Sequence, residues 1–271
     1  MSDPLDTTSP ANGLTQFWIT PNWPAPANVK AFTTTRQGGR SLPPWDGLNL
    51  AQHVGDNAEA VAHNRILLSQ TAKLPTAPGW LNQVHGTTVV STAALISGET
   101  EADGVVSDEP EKVCAILTAD CLPVLLCDRS GTRVAAAHAG WRGLAAGILE
   151  ATISALGAPE NELLAWLGPA ISARHFEVGE EVREVFVKQD GRAADALSLA
   201  REGHWWADLY GLARLRLAAL GVRDVYGGNL CTYHDARRFY SFRRDAITGR
   251  MASVIWLSKS GFLPRTAFTS R

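Results

Sequence analysis

Apolar positions fall into short runs separated by Gly, Pro and polar clusters. Residues 29–35 read as a strand, and the loop RQGGRSLPPWDGL that follows, residues 36–48, is too rich in Gly and Pro to be regular. Residues 56–74 predict a helix, because Val61, Arg65 and Leu68 keep helical spacing and Asn57 or Asp56 stands where a cap belongs. Residues 78–90 lead into a strand with His85 in it or at its edge. Two apolar runs, 112–118 and 122–127, flank Ala119-Asp120-Cys121. A strand over 134–137 ends at His138, and Ala139-Gly140-Trp141-Arg142-Gly143 turns into a helix over 144–156. Further strands are expected over 163–167, 222–227 and 253–257, with helices over 179–189 and 208–220. Strands and helices interleave without strict alternation, which predicts an α+β or mixed α/β fold rather than a clean doubly wound sheet.

With 271 residues, 45% hydrophobic and 19% charged, the chain has the composition of a globular protein with a real core. It shows no internal repeat and no linker. The expected organisation is an N-terminal arm over 1–14, a single catalytic domain over 15–260 and a C-terminal tail over 261–271. A formal charge of −2 gives no electrostatic reason to expect nucleic acid or an anionic membrane as partner. The start, MSDPLDTTSPANG, is acidic and polar, which argues against a signal peptide and for the cytoplasm. A monomer or small homo-oligomer is expected. The cysteines are Cys114, Cys121, Cys127 and Cys231; three lie in one strand-like region, and reduced thiols are expected.

His138 closes a strand and opens a Gly-rich turn. Gly there permits close approach of a ligand, and a helix start offers free N–H groups with a positive dipole end. Arg142 in that first turn is a poor match to the dipole, so it faces either an anion or bulk water. Cys121 follows Asp120 at a break between two buried-looking runs, and Pro123 limits the next strand. His85 lies among polar groups in Asn82-Gln83-Val84-His85-Gly86. Two His and one Cys would make a three-ligand zinc site with an open fourth position. The same residues suit Cys–His nucleophilic catalysis or plain packing, and spacing alone does not separate the three. Cys114 and Cys127 read as core.

The blocks AFTTTRQGG, LNLAQHVGD, NQVHG, ADGVVSD, LTADCLPVLL, AAAHAGWRGLAAGI, LGPAIS and NLCTYHDARRFYSFRRDAITGR occur in this order. They resemble the YfiH family, also called the laccase-domain or multicopper polyphenol oxidase family, over about residues 31–257. The resemblance implies an α+β multilayer sandwich of mixed β-sheets with flanking helices, related to cytotoxic necrotizing factor-type Cys–His enzymes. It implies a metal, zinc or else copper, on His85, Cys121 and His138. It implies purine nucleosides and phosphate as partners: phosphorolysis of adenosine, inosine and methylthioadenosine, with adenosine deamination alongside. Copper-dependent polyphenol oxidation and, for bacterial members, peptidoglycan precursor editing by a Cys–His hydrolase are the competing activities.

Residue supply bears on the choice. The chain has seven His, two Met and no His-x-His pair, which suits one metal site and not a multicopper cluster. His63, His175 and His204 are expected in helical or loop settings without partners. Phosphate must be held by cations, and Arg36, Arg142 and Arg243 each sit in a matched block beside Gly or aromatic residues. Arg238, Arg243 and Arg244 also read as a solvated edge. Asp120 is the candidate to move protons in deamination, beside His85, Cys121 and His138 as catalytic residues. Asn49 and His53 are expected to line the pocket, or else to cap a turn and bond backbone. Tyr233 and Phe242 could stack on a purine or pack in the core, and Phe239 reads as core.

Overall fold

The run LPVLLCD has no polar face to give to water. In the computed structural model, which describes residues 15–98 and 100–259, it is strand β5 (Leu122–Asp128), buried at every position. A strand buried on both sides must be covered on both sides. Side chains alternate across it, so Leu122, Val124 and Leu126 enter one core while Leu125 and Cys127 enter another.

β5 lies inside a six-stranded sheet of order β11-β7-β5-β6-β3-β2. Its other members are β2 (Val89–Ser91), β3 (Gly104–Ser107), β6 (Val134–Ala139), β7 (Leu163–Leu167) and β11 (Asp224–Gly227). The β2–β3 and β7–β11 pairs are parallel and the rest antiparallel, so the sheet is mixed. One face packs on helices α3 (Ile148–Leu156), α4 (Glu180–Gln189) and α5 (Leu209–Ala219), through Ile148, Ile153, Phe186, Leu212 and Leu217. The other face meets a three-stranded sheet of β1 (Val29–Thr33), β12 (Met251–Leu257) and β4 (Cys114–Thr118), through Cys114, Ile116 and Ile255. Helix α1 (Ala58–Ala72) covers the outside of that sheet with Leu68 against the cluster of Phe32, Leu117 and Trp256. A third sheet joins β8 (Glu177–Gly179), β10 (His204–Ala207) and β9 (Leu197–Arg201). The result is the α+β multilayer sandwich of mixed sheets with flanking helices that the resemblance implies.

Local signals explain most element ends. Asn57 is the N-cap of α1, its side chain accepting from Ala60 N at 2.9 Å, and Lys73 ends the helix in the left-handed region. Asp208 caps α5 in the same way. One expectation needs correction, and two features were not foreseen. The helix expected over 144–156 is two helices, α2 (Trp141–Ala146) and α3, because Gly147 between them takes φ 102°. β3 is only four residues, GVVS, too short to declare itself in the sequence. The sheet of β8, β9 and β10 was not expected, since its strands are three to five residues long and only Leu197 of β9 is buried. The proposed arm, 1–14, and tail, 261–271, lie outside the described residues.

Candidate metal centre and cavity

β4 and β5 belong to different sheets, so Ala119-Asp120-Cys121 must carry the chain from one layer to the next. Asp120 does so at φ 92°. Its buried carboxylate fixes the turn: Oδ1 accepts from Thr232 Oγ1 at 2.6 Å, and Oδ2 from Ser241 Oγ at 2.9 Å and Arg243 N at 2.7 Å. The β5–β6 register sets Pro123 opposite His138 and Leu122 opposite Ala139, which brings Cys121 to the end of the sheet beside Gly140. A Cβ on Gly140 would lie 2.9 Å from Cys121 Sγ and 3.0 Å from His85 Cδ2. Only glycine leaves both ligands in place.

His85 is not in a strand. It sits in a loop at φ 62°, a costly backbone state for a non-glycine residue. Asp103, fully buried just before β3, supports that state. Its Oδ1 accepts from His85 N at 3.0 Å, and Oδ2 from Gly86 N at 2.6 Å and Val84 N at 3.2 Å. Oδ1 also meets His138 Nδ1 at 2.7 Å, while His138 N donates to Asp103 O at 2.7 Å. Gln83 stitches the same loop to β4, donating to Leu117 O at 2.9 Å and accepting from Leu117 N at 2.7 Å. Asp103 was not foreseen as a site residue; its signal was an acidic residue directly before the apolar Gly-Val-Val.

The ligand atoms of His85, Cys121 and His138 all lie within 4.8 Å of one another. Cys121 Sγ is 3.8 Å from His85 Nε2, and the two imidazoles are 4.8 Å apart. One thiol and two imidazoles suit zinc in a site with one open position. His138 has its Nδ1 taken by a carboxylate and its Nε2 left for an ion, which is how metal-bound imidazoles are oriented. Electrostatics favour the thiolate. Burial pushes the Cys121 thiol up, but the His138 charge and hydrogen bonds from both imidazoles outweigh it and bring it down to about 6. Burial pushes His138 down, while the Cys121 charge and the Asp103 hydrogen bond raise it above its ordinary value.

The three residues open into a cavity of about 380 Å³. Arg142, Arg243 and Arg250 line it, each beside an aromatic ring: Arg142 is 4.5 Å from Trp141, Arg243 5.2 Å from Phe176, and Arg250 5.8 Å from Phe242. None of the three has a carboxylate partner among the described residues. Arg243 is steadied by Glu177 O at 2.8 Å, and Arg250 by the carbonyls of Thr248 and Gly249. Arg250 was not foreseen, being the last residue of a long polar block. His53 also lines the cavity; burial, then Arg250 and Arg65, lower its pKa. Helix α2 has six residues, so the expectation of an anion held by a helix dipole passes to these guanidiniums.

Some expected residues lie elsewhere. Arg36 is outside the cavity, paired with Asp46 at 2.8 Å and 4.7 Å from the ring of Tyr240. Asn49 is fully buried and spent on the fold, donating to Ala51 O and Asp56 and accepting from Ala51 N and Arg250 N. Tyr233 is not in the lining either; it stacks on His175 at 4.6 Å. His175 therefore has the partners it was expected to lack. Arg238 pairs with Asp235, and Arg244 with Asp245. Phe239 is core as expected.

Residues 30–258 match the family described as multi-copper polyphenol oxidoreductase laccase. The chain is 57% identical over 241 residues to the purine nucleoside phosphorylase of Pseudomonas aeruginosa, covering 89% of this chain and 98% of that protein. It is 52% identical over 239 residues to the purine nucleoside phosphorylase YfiH of Escherichia coli, covering 88% and 98%. Among solved structures, a Neisseria meningitidis protein of the DUF152 family superposes with TM-score 0.86 at 53% identity, covering 89% of this chain and 99% of its own. The YfiH protein of Bacillus licheniformis superposes at 0.79 with 30% identity, covering 85% and 93%. No helix among the described residues is long and apolar enough to cross a membrane.

Proposed function

The chain belongs to the multi-copper polyphenol oxidoreductase laccase family, and from that premise we propose that it is a cytoplasmic purine nucleoside phosphorylase with one zinc ion on His85, Cys121 and His138. Adenosine, inosine and methylthioadenosine are its nucleosides, with adenosine deamination as a second activity of the same cavity. The observation that carries this reading is the meeting, in one cavity, of a His–Cys–His donor set, three guanidiniums without carboxylate partners, and aromatic walls. The names of the relatives support the same reaction.

Phosphorolysis asks for an anion held against the ribose. A phosphate oxygen bonds to C1′ as the bond from C1′ to the purine nitrogen breaks. The electron pair of that bond leaves with the base, which then takes a proton. Arg142, Arg243 and Arg250 supply the planar forks that hold phosphate. Asp120 acts as a positioning residue: its carboxylate holds the backbone of Arg243 and presents Cys121. Phe242, 58% exposed on the cavity wall, offers a face on which a purine stacks. His53, whose pKa burial and then Arg250 and Arg65 lower, offers a hydrogen bond to a nucleoside group. Zinc held by His85, Cys121 and His138 would supply Lewis acidity there.

Polyphenol oxidation by several coppers is not favoured. Among the described residues only His85, Cys121 and His138 form a close three-ligand group. The one competing reading with an observation behind it is a Cys–His hydrolase, since Asp103, His138 and Cys121 also suit an activated thiol nucleophile. Product analysis decides. Zinc-loaded protein is incubated with inosine or adenosine, with and without phosphate. Free base and ribose 1-phosphate formed only with phosphate support phosphorolysis, and inosine formed from adenosine without phosphate supports deamination. No turnover of any nucleoside overturns the proposal. Activity on a peptidoglycan precursor that survives chelation would point to the hydrolase.

A further inference from the structure

Cys231 immediately precedes Thr232, the partner of Asp120, and has chemistry of its own. It bridges to Ala170, so the segments around 170–175 and 229–234 run side by side. Cys231 Sγ accepts from Ser172 N at 3.4 Å and from Ser172 Oγ at 3.0 Å. His175 Nδ1 lies 3.5 Å from the same sulfur. The His175 ring is fixed by stacking on Tyr233, and the His234 ring lies 5.9 Å from it. His234 is exposed, and its side chain has no hydrogen bond among the described residues. Cys231, His175 and His234 line a cavity of about 620 Å³ that shares no residue with the first.

We propose that Cys231, His175 and His234 form a second, mononuclear site for a transition ion that prefers thiolate and imidazole, of the zinc(II) or copper(I) class. Two ligands at ordinary zinc–sulfur and zinc–nitrogen bond lengths and a tetrahedral angle stand roughly 3.5 Å apart. The Cys231–His175 pair already has that separation, and the exposed His234 side chain would reach the ion by turning from its place beside the His175 ring. A sulfur and two imidazoles exclude the hard, oxygen-preferring cations. Binding exchanges the Cys231 S–H bond for a sulfur–metal bond and releases one proton to solvent. The ion would join two segments that the Tyr210 hydroxyl already ties, since that group bonds Gly168 O, Leu230 O and Ala170 N. The proposal does not depend on the nucleoside reaction.

Metal counting tests it on the full chain, stripped with chelator and titrated with cobalt(II) as a zinc surrogate that reports thiolate ligation by charge-transfer absorption. The unsubstituted chain should bind two ions. Cys231→Ser and His234→Ala should each weaken the second by at least about tenfold and leave the first in place. Cys121→Ser should remove the first and leave the second, with its thiolate band. His234 is exposed, so His234→Ala decides the matter if Cys231→Ser fails to fold. One ion per chain, or a second ion that binds His234→Ala as tightly as the parent, overturns the proposal.

Discussion

Asp103 carries more of the proposed metal centre than any of its three candidate ligands does. Its carboxylate serves three backbone N–H groups and one imidazole, and Asp103→Asn removes the charge that all four donors face. The expected outcome is a loss of about 10–100-fold in zinc affinity, read by competition with a chromophoric chelator. Gly140→Ala should cost the zinc itself, because the added carbon collides with the sulfur of Cys121 and the ring of His85. Metal analysis of the purified variant should find the first site empty, with phosphorolysis lost alongside. Cys121 gives the pH prediction. Its folded pKa is lowered to about 6, so in zinc-free protein the thiolate fraction rises as pH rises through that value and falls below it. Iodoacetamide rates on a Cys231→Ser background should show that midpoint and vanish on adding zinc. Cys114 and Cys127 contribute nothing to the rate, since burial pushes both thiols far up. A midpoint near the ordinary thiol value would refute the assignment.

Elements were legible where one apolar pattern sufficed and illegible where placement depended on a distant partner. β5, β6 and α1 could be read because their runs and caps are local. The meeting of Cys121 with His138 was foreseen from two adjacent runs, and the β5–β6 register is what brings them together. The left-handed loop of His85 was not readable, because it exists only through Asp103, eighteen positions away. Arg36 and Asn49 looked like binding residues by the company they keep in sequence; Asp46, Asp56 and Ala51 take them in the fold. The break between α2 and α3 was hidden because glycine inside an apolar helix run does not announce its φ. That break is itself testable. Gly147→Ala forces a Cβ into the left-handed region and should destabilise the protein by about 1–2 kcal/mol, measured by urea unfolding. Zinc content should be unchanged, since the nearest atoms to the added carbon belong to Glu150. An unaltered midpoint would mean that the two helices tolerate joining.

At the scale of the whole molecule, zinc should act as a folding ligand, because the unfolded chain cannot bring His85, Cys121 and His138 together. At a free concentration 100 times its dissociation constant, one ion adds about 2.7 kcal/mol. Differential scanning calorimetry should show the thermal midpoint rising by several degrees with zinc. The rise should shrink in Cys121→Ser, whereas an equal rise in that variant would place the stabilising ion elsewhere. The layering gives this ion a further consequence. The loop of His85 is stitched to the small sheet through Gln83 and β4, His138 belongs to β6 of the large sheet, and Cys121 stands where the chain hands over between them. Viewed mechanically, the three ligands make a rivet through two plates. β1 and β12 both lie in the smaller plate, so a chain pulled from its ends loads that plate first. Sliding off the larger one must break the apolar packing between the two sheets and shear the rivet as well. Single-molecule stretching of zinc-loaded protein should therefore show a rupture event that chelation abolishes.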